Sequence, residues 1–134
     1  MINTILVLGG LASERETAIA DYIARADTPV PSDKNSDKRM VFNAVLLEGL
    51  ADGKNRLVAD AHTTIVRIAI GCLCCGNNLI MRVNLNRLLH QRPNRLFLSL
   101  ALNVNNIAHL EQIKLFLTTP DYARILTLSD EIYV

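Results

Sequence analysis

A chain of 134 residues is long enough for one compact domain with a sizeable core and too short for two. Half of it is apolar but only 4% is aromatic; an apolar share dominated by Val, Ile, Leu and Ala is what a buried parallel sheet covered by helices uses. The net charge of +1 names no partner, and no apolar run approaches the ~20 residues of a membrane span or forms the core of a signal peptide, so the expectation is a cytoplasmic protein that makes no use of a membrane.

In chain order, "NTILVL" (3–8) predicts a first strand, and Ile19, Tyr22, Ile23 and Ala26 then recur at i, i+3, i+4 and i+7 as an amphipathic helix. The stretch 27–40, "DTPVPSDKNSDKRM", combines two prolines with mixed charges and no apolar period and reads as a mobile loop. "VFNAVLL" (41–47) predicts a buried strand, and after the turn signal "ADGKN" the β-branched run "TTIVRIAI" (63–70) predicts another, leading directly into "GCLCCGNN". Met81, Leu85, Leu88 and Leu89 form a helical stripe closed by "QRPNR"; "LFLSLAL" (96–102) is a further strand, 106–117 a helix, and "EIYV" a last strand. Strands alternating with helices over short connections imply a single α/β domain over 1–134, a parallel sheet with helices on both faces.

Two stretches carry chemistry. The first is "GGLASERET", residues 9–17, which sits between the first strand and the first helix, where a phosphate-binding loop belongs. A loop of the G-x-x-x-x-G-K-[ST] kind needs a glycine and a lysine before its hydroxyl residue, and here Gly10 and Thr17 frame Arg15 and Glu16. Glu16 puts a carboxylate at the lysine position, turning attraction for a phosphate into repulsion, and Arg15 adds a β-carbon where close backbone approach is required. Thr17 alone retains a magnesium-ligating hydroxyl. Ser13 and Glu16 form S-x-x-E, a capping box, and the internal acids Glu14 and Glu16 would satisfy the helix terminus in place of a ligand's phosphate. GTP and magnesium are therefore not expected to be held, and Gly10, Ser13 and Thr17 are what remains of a phosphate site.

The second is the cluster Cys72, Cys74 and Cys75, flanked by Gly71 and Gly76. Three cysteines within four positions do not make a secreted disulfide framework. Reduced thiolates are soft ligands suited to Zn(II), Cu(I) or related ions, and the glycines allow a tight turn on which three side chains converge, which a continued strand with alternating directions would not. The alternative is a set of small buried hydrophobes at a strand end. Three thiolates leave a tetrahedral ion one ligand short, a place for Glu48, His62 or water; Glu48 is the favoured protein ligand.

From Ala61 to Leu110 there is no Asp or Glu, while Arg67, Arg82, Arg87, Arg92 and Arg95 all fall there. Arg82, Arg87, Arg92 and Arg95 could form an anion or nucleic-acid patch, but without interleaved aromatics they read as a solvated helix face, and nucleic acid is not an expected partner. His90 and His109 read as surface or capping residues for lack of a partnered spacing, and no hydrolytic triad is recognisable.

The order of these elements, with "IGCLCCGNNLIMRVNLNRLL" as its most specific part, resembles the CobW-type P-loop GTPases, a family linked to zinc handling and related to the accessory GTPases of urease and hydrogenase maturation. The resemblance covers nearly the whole chain and implies a three-layer P-loop-type fold in shortened form. It implies that Gly10 and Thr17 keep the ends of the phosphate loop, that Glu48 keeps the acidic position of a "NEFG"-like stretch, and that Cys72, Cys74 and Cys75 keep the thiols of G-C-x-C-C. Ser99 stands where the family has the acidic residue of its metal and water site, Leu102 where it has a glycine near the γ-phosphate, and the chain ends before a guanine-reading N-K-x-D. The expected function is zinc binding in metal homeostasis or transfer to a client protein, with a degenerate nucleotide site. The alternatives are a pseudo-GTPase that acts only as an interaction module, or a GTPase completed by a partner chain. Self-association is expected where a longer relative's sheet would continue.

Overall fold

The computed structural model describes residues 1–26, 41–49, 57–68, 79–101 and 107–134. β1 (Ile2–Leu8), α1 (Ala12–Ala26), β2 (Asn43–Glu48), β3 (Thr63–Ile68), α2 (Leu79–His90), β4 (Arg95–Leu100), α3 (Ile107–Leu117), α4 (Pro120–Ala123) and β5 (Leu126–Tyr133) follow one another along the chain. The five strands form one sheet in the order β3-β2-β4-β1-β5, every pairing parallel. This is the expected α/β class. No helix among the described residues is long and apolar enough to cross a membrane.

Alternation along the strands sorts the core into two layers. Leu6, Leu8, Leu46, Ile68, Leu96, Leu98 and Leu100 face Met81, Leu85 and Leu88 of α2, Ile113 and Leu117 of α3 and Tyr122 of α4. On the opposite face Ile5, Val7, Val45, Leu47 and Phe97 pack with Ile19 of α1, joined by Tyr22 and Ile23. Helices thus cover both faces, and β2 and β4, buried along their whole length, are the near-continuous apolar runs that two covered faces require.

The α2 stripe lies where its spacing predicts: Met81, Leu85, Leu88 and Leu89 are its buried residues. Ile19 is buried on α1 while Ala26 is exposed, so the apolar period there ends one turn early. The largest departure is β5. The expected strand "EIYV" is only the end of one that begins at Leu126, and its polar first half reflects its position at the sheet edge, where outward residues meet water. The four-residue α4 was not anticipated, although Pro120 at its first turn is a start signal. The expected loop at 27–40 lies outside the described residues, as do the last two positions of the strand placed at 63–70.

Parallel register brings three strand ends to one rim. Leu8 lies opposite Leu100, Leu47 opposite Ser99, and Glu48 opposite Ile68. The carboxyl ends of β1, β2 and β4 therefore meet where ligands bind in open α/β sheets.

Candidate functional site

The turn from β1 into α1 passes over this rim through Gly9 and Gly10, both in the left-handed region with φ of 82° and 54°. At Gly10 a β-carbon would also come within 3.0 Å of Val134 Cγ2 and 3.2 Å of Glu14 Oε1, so glycine is demanded by conformation and by packing.

The helix start is capped differently from the expected box. Leu11 precedes the first helical residue, and its N–H donates to Glu14 Oε1 at 3.1 Å. Glu14 is thus the acid that reaches back, with no hydroxyl at the cap to reciprocate. The Ser13–Glu16 pairing is corrected: both lie inside α1, where the Ser13 carbonyl accepts from Thr17 Oγ1 at 3.0 Å. The Thr17 hydroxyl, the one group expected to serve magnesium, back-bonds its own helix.

Arg15 occupies the centre of the rim. It is 1% exposed, and its guanidinium donates from Nε to Ser99 Oγ at 2.8 Å, from Nη1 to the Gly9 carbonyl at 2.7 Å and the Gly10 carbonyl at 3.0 Å, and from Nη2 to the Glu48 carbonyl at 2.8 Å. One side chain from α1 thus ties the ends of β1, β2 and β4 together. In a phosphate site the loop turns N–H groups toward an anion; here two of its carbonyls turn toward a cation. Burial pulls the Arg15 pKa below its ordinary value, and the carboxylates of Glu48, Glu16 and Glu14 oppose that shift; a guanidinium keeps its proton at physiological pH in either case.

Glu16, 2% exposed, is ion-paired with Arg67 on β3. It points inward to a cation on the α1 face and away from the end of the loop. Ser99, at the end of β4, accepts from Arg15. The rim is charge-balanced from within: Arg15 and Arg67 against Glu16 and Glu48.

For the thiol site, the expected residues divide. Cys72, Cys74 and Cys75 lie outside the described residues. Glu48 is buried at the end of β2, and Ile68, opposite it in register, is the last described residue before the stretch that carries the cysteines. Strand alternation puts Glu48 on the sheet face of Ala44 and Leu46, the face covered by α2, the helix that follows those cysteines in sequence. His62 is at the other end: its carbonyl accepts from Asn43 N–H and its ring lies 5.8 Å from that of Phe42. It is thus some five strand residues, roughly 16 Å, from Glu48. The structure does not bring His62 and Glu48 together. Among the described residues no group of three or more His, Cys, Asp or Glu side chains is placed to hold a metal.

Compared with known proteins, the chain is 34% identical over 123 residues to the zinc chaperone YeiR of Escherichia coli (strain K12), a match that covers 91% of this chain and 34% of that protein. The chain thus spans about a third of the length of the curated relative it matches. No family model matches it, and no solved structure does. The likeness to YeiR supports the CobW-type resemblance drawn from the sequence.

Proposed function

We propose that this chain is a zinc-handling protein of CobW type whose phosphate loop is sealed by its own arginine, so that it binds zinc in metal homeostasis or transfer without hydrolysing a nucleotide. The observation that carries the sealed loop is the buried Arg15 guanidinium with its four acceptors at the rim. A nucleotide's phosphates would need the N–H groups and free cationic charge of that rim, and both cations there face internal partners. Zinc is supported by the likeness to a zinc chaperone over most of this chain and by the chemistry of the donor set. Cys72, Cys74 and Cys75 supply soft thiolates, and Glu48, buried beside the strand end that leads to them, supplies the fourth donor. A ligand set of three thiolates and one weaker carboxylate suits an ion that must later be passed on.

Two measurements test this. In calorimetry with Mg-GTP the chain shows no binding at micromolar or tighter affinity, which would correspond to about 8 kcal/mol; the paired change Arg15→Gly with Glu16→Lys raises phosphate affinity. In a chelator competition under reducing conditions the chain takes up about one Zn(II) through its thiolates. Changing Cys74 and Cys75 to serine abolishes uptake with the fold retained, and Glu48→Ala weakens it. Tight GTP binding by the unaltered chain, or failure to bind zinc, overturns the corresponding half.

A further inference from the structure

At the opposite, amino-terminal rim of the sheet a groove of about 590 Å³ opens between the end of α2 and the turn from α4 into β5. Its polar side chains include His90, Arg92, Asn94 and Arg124, its apolar ones include Leu89 and Ile125, and among the described residues no carboxylate lines it. We propose that this groove binds a small phosphomonoester, with Arg92 and Arg124 gripping the phosphate and the apolar residues receiving the carbon body.

Three observations support the site. First, its chemistry is one-sided. Asn94 Oδ1 accepts from the Phe42 N–H at 2.8 Å, which leaves the –NH2 of Asn94 to donate, and two guanidiniums add planar donor forks suited to phosphate oxygens. The acid-free stretch from Ala61 to Leu110 supplies the α2 side, and Asp121 on α4 is not part of the lining.

Second, Arg92 holds a position that ordinarily goes to glycine. Its φ is 53°, the only positive φ outside glycine among the described residues, and its N–H donates to the Leu89 carbonyl at 3.0 Å as the helix ends. A helix closing through a left-handed residue is served best by Gly, because any β-carbon there is crowded. Arg92 thus stands where the backbone favours glycine.

Third, two other arginines of the acid-free stretch are engaged elsewhere, while Arg87 stays exposed on α2 outside the groove. Arg82 lies 5.5 Å from the Phe116 ring centroid, and buried Arg95 donates from Nε to Asn43 Oδ1 at 2.8 Å. What remains is a compact concave site of the size small ligands use, not a track with stacking platforms.

The test is an NMR titration of the whole chain with phenyl phosphate. Amide shifts confined to residues 90–94 and 124–125, with millimolar or tighter binding and several-fold weaker binding of inorganic phosphate and benzoate, support the site. Arg124→Gln should weaken binding at least tenfold. Arg92→Gly should do the same while raising the melting temperature by about 3 °C, a combination that a merely structural arginine would not give. Phenyl phosphate affinity unchanged in both variants, a fall in melting temperature for Arg92→Gly, or benzoate binding as tightly as the phosphate overturns the proposal. So does tighter binding of a single-stranded oligonucleotide with shifts along the outer face of α2.

Discussion

The two rims of this sheet treat their arginines in opposite ways. At the carboxyl rim, Arg15 is buried and meets four oxygen acceptors, and Arg67 is paired with a buried glutamate. At the amino-terminal rim, Arg92 and Arg124 line a groove without a carboxylate. At the end of an α/β sheet where ligands ordinarily bind, the arginines meet internal partners, and at the end that is ordinarily structural they line a groove. Position in the fold therefore says less here than the balance of donors and acceptors does.

The largest effect that can break this contrast is at Arg15. Arg15→Ala should lower the unfolding free energy by about 3–5 kcal/mol, since it strands buried carbonyls and leaves Glu48 and Glu16 with less compensating charge. Arg15→Lys should recover only part, because one ammonium cannot span acceptors on three strand ends. Arg124→Ala, at the other rim, should stay within about 0.5 kcal/mol. Urea denaturation of the three variants measures all of this. A cost below about 1 kcal/mol for Arg15→Ala would mean the guanidinium is not what closes the rim.

Next in size is the Glu16–Arg67 pair. Its acid is almost fully buried, but the Arg67 side chain is 35% exposed, which discounts the interaction for solvent screening. A double-mutant cycle with Glu16→Gln and Arg67→Met should give a coupling of about 1–2 kcal/mol. Glu16→Lys alone should be worse than either, because it sets two cations against each other beside Arg15.

Most of the fold was legible because apolar runs and helical stripes were dense: β1, β2, β4 and α2 are buried where their patterns said. β5 was only partly legible because this edge strand exposes the consecutive polar residues Ser129, Asp130 and Glu131, and no apolar alternation marks them. Of the two acids expected to satisfy the helix start, Glu14 does so and Glu16 pairs with Arg67 instead. Reading Ser13 and Glu16 as the cap placed the helix start two residues too late; Leu11 at the cap makes Glu14 the reaching acid. Arg15 read as a missing glycine, yet it stands four residues before Ile19 and so shares its inward stripe, the one signal in the sequence that could have shown it buried. The pairings of Arg15 with Ser99 and of Glu16 with Arg67 join distant segments, which a single sequence does not reveal.

The smallest effect comes from a pair at the sheet edge that resembles Glu16–Arg67 in composition but not in burial. Lys114 on α3 and Glu131 on β5 form an ion pair with both side chains about a third exposed, and Tyr133 Oη donates to Glu131 Oε2 at 2.7 Å. The hydrogen bonds from Lys114 and Tyr133 hold the Glu131 carboxyl below its ordinary value of 4.5, and the bond to Glu131 holds Lys114 above 10.5. A depressed carboxylate stabilises the fold above its unfolded value, and that contribution is lost as the pH falls through the folded one. A raised lysine stabilises below its unfolded value and loses that contribution as the pH climbs through the folded one. Glu131→Gln should therefore cost only about 0.5 kcal/mol at neutral pH, with the gap from the unaltered chain closing below about pH 4. In 1 M salt, where screening acts over about 3 Å, the Glu131 effect should vanish while the Glu16–Arg67 coupling largely survives. Equal salt sensitivity of the two pairs would show that the carboxyl rim is wetter than its burial implies, and would weaken the proposal that Arg15 seals it.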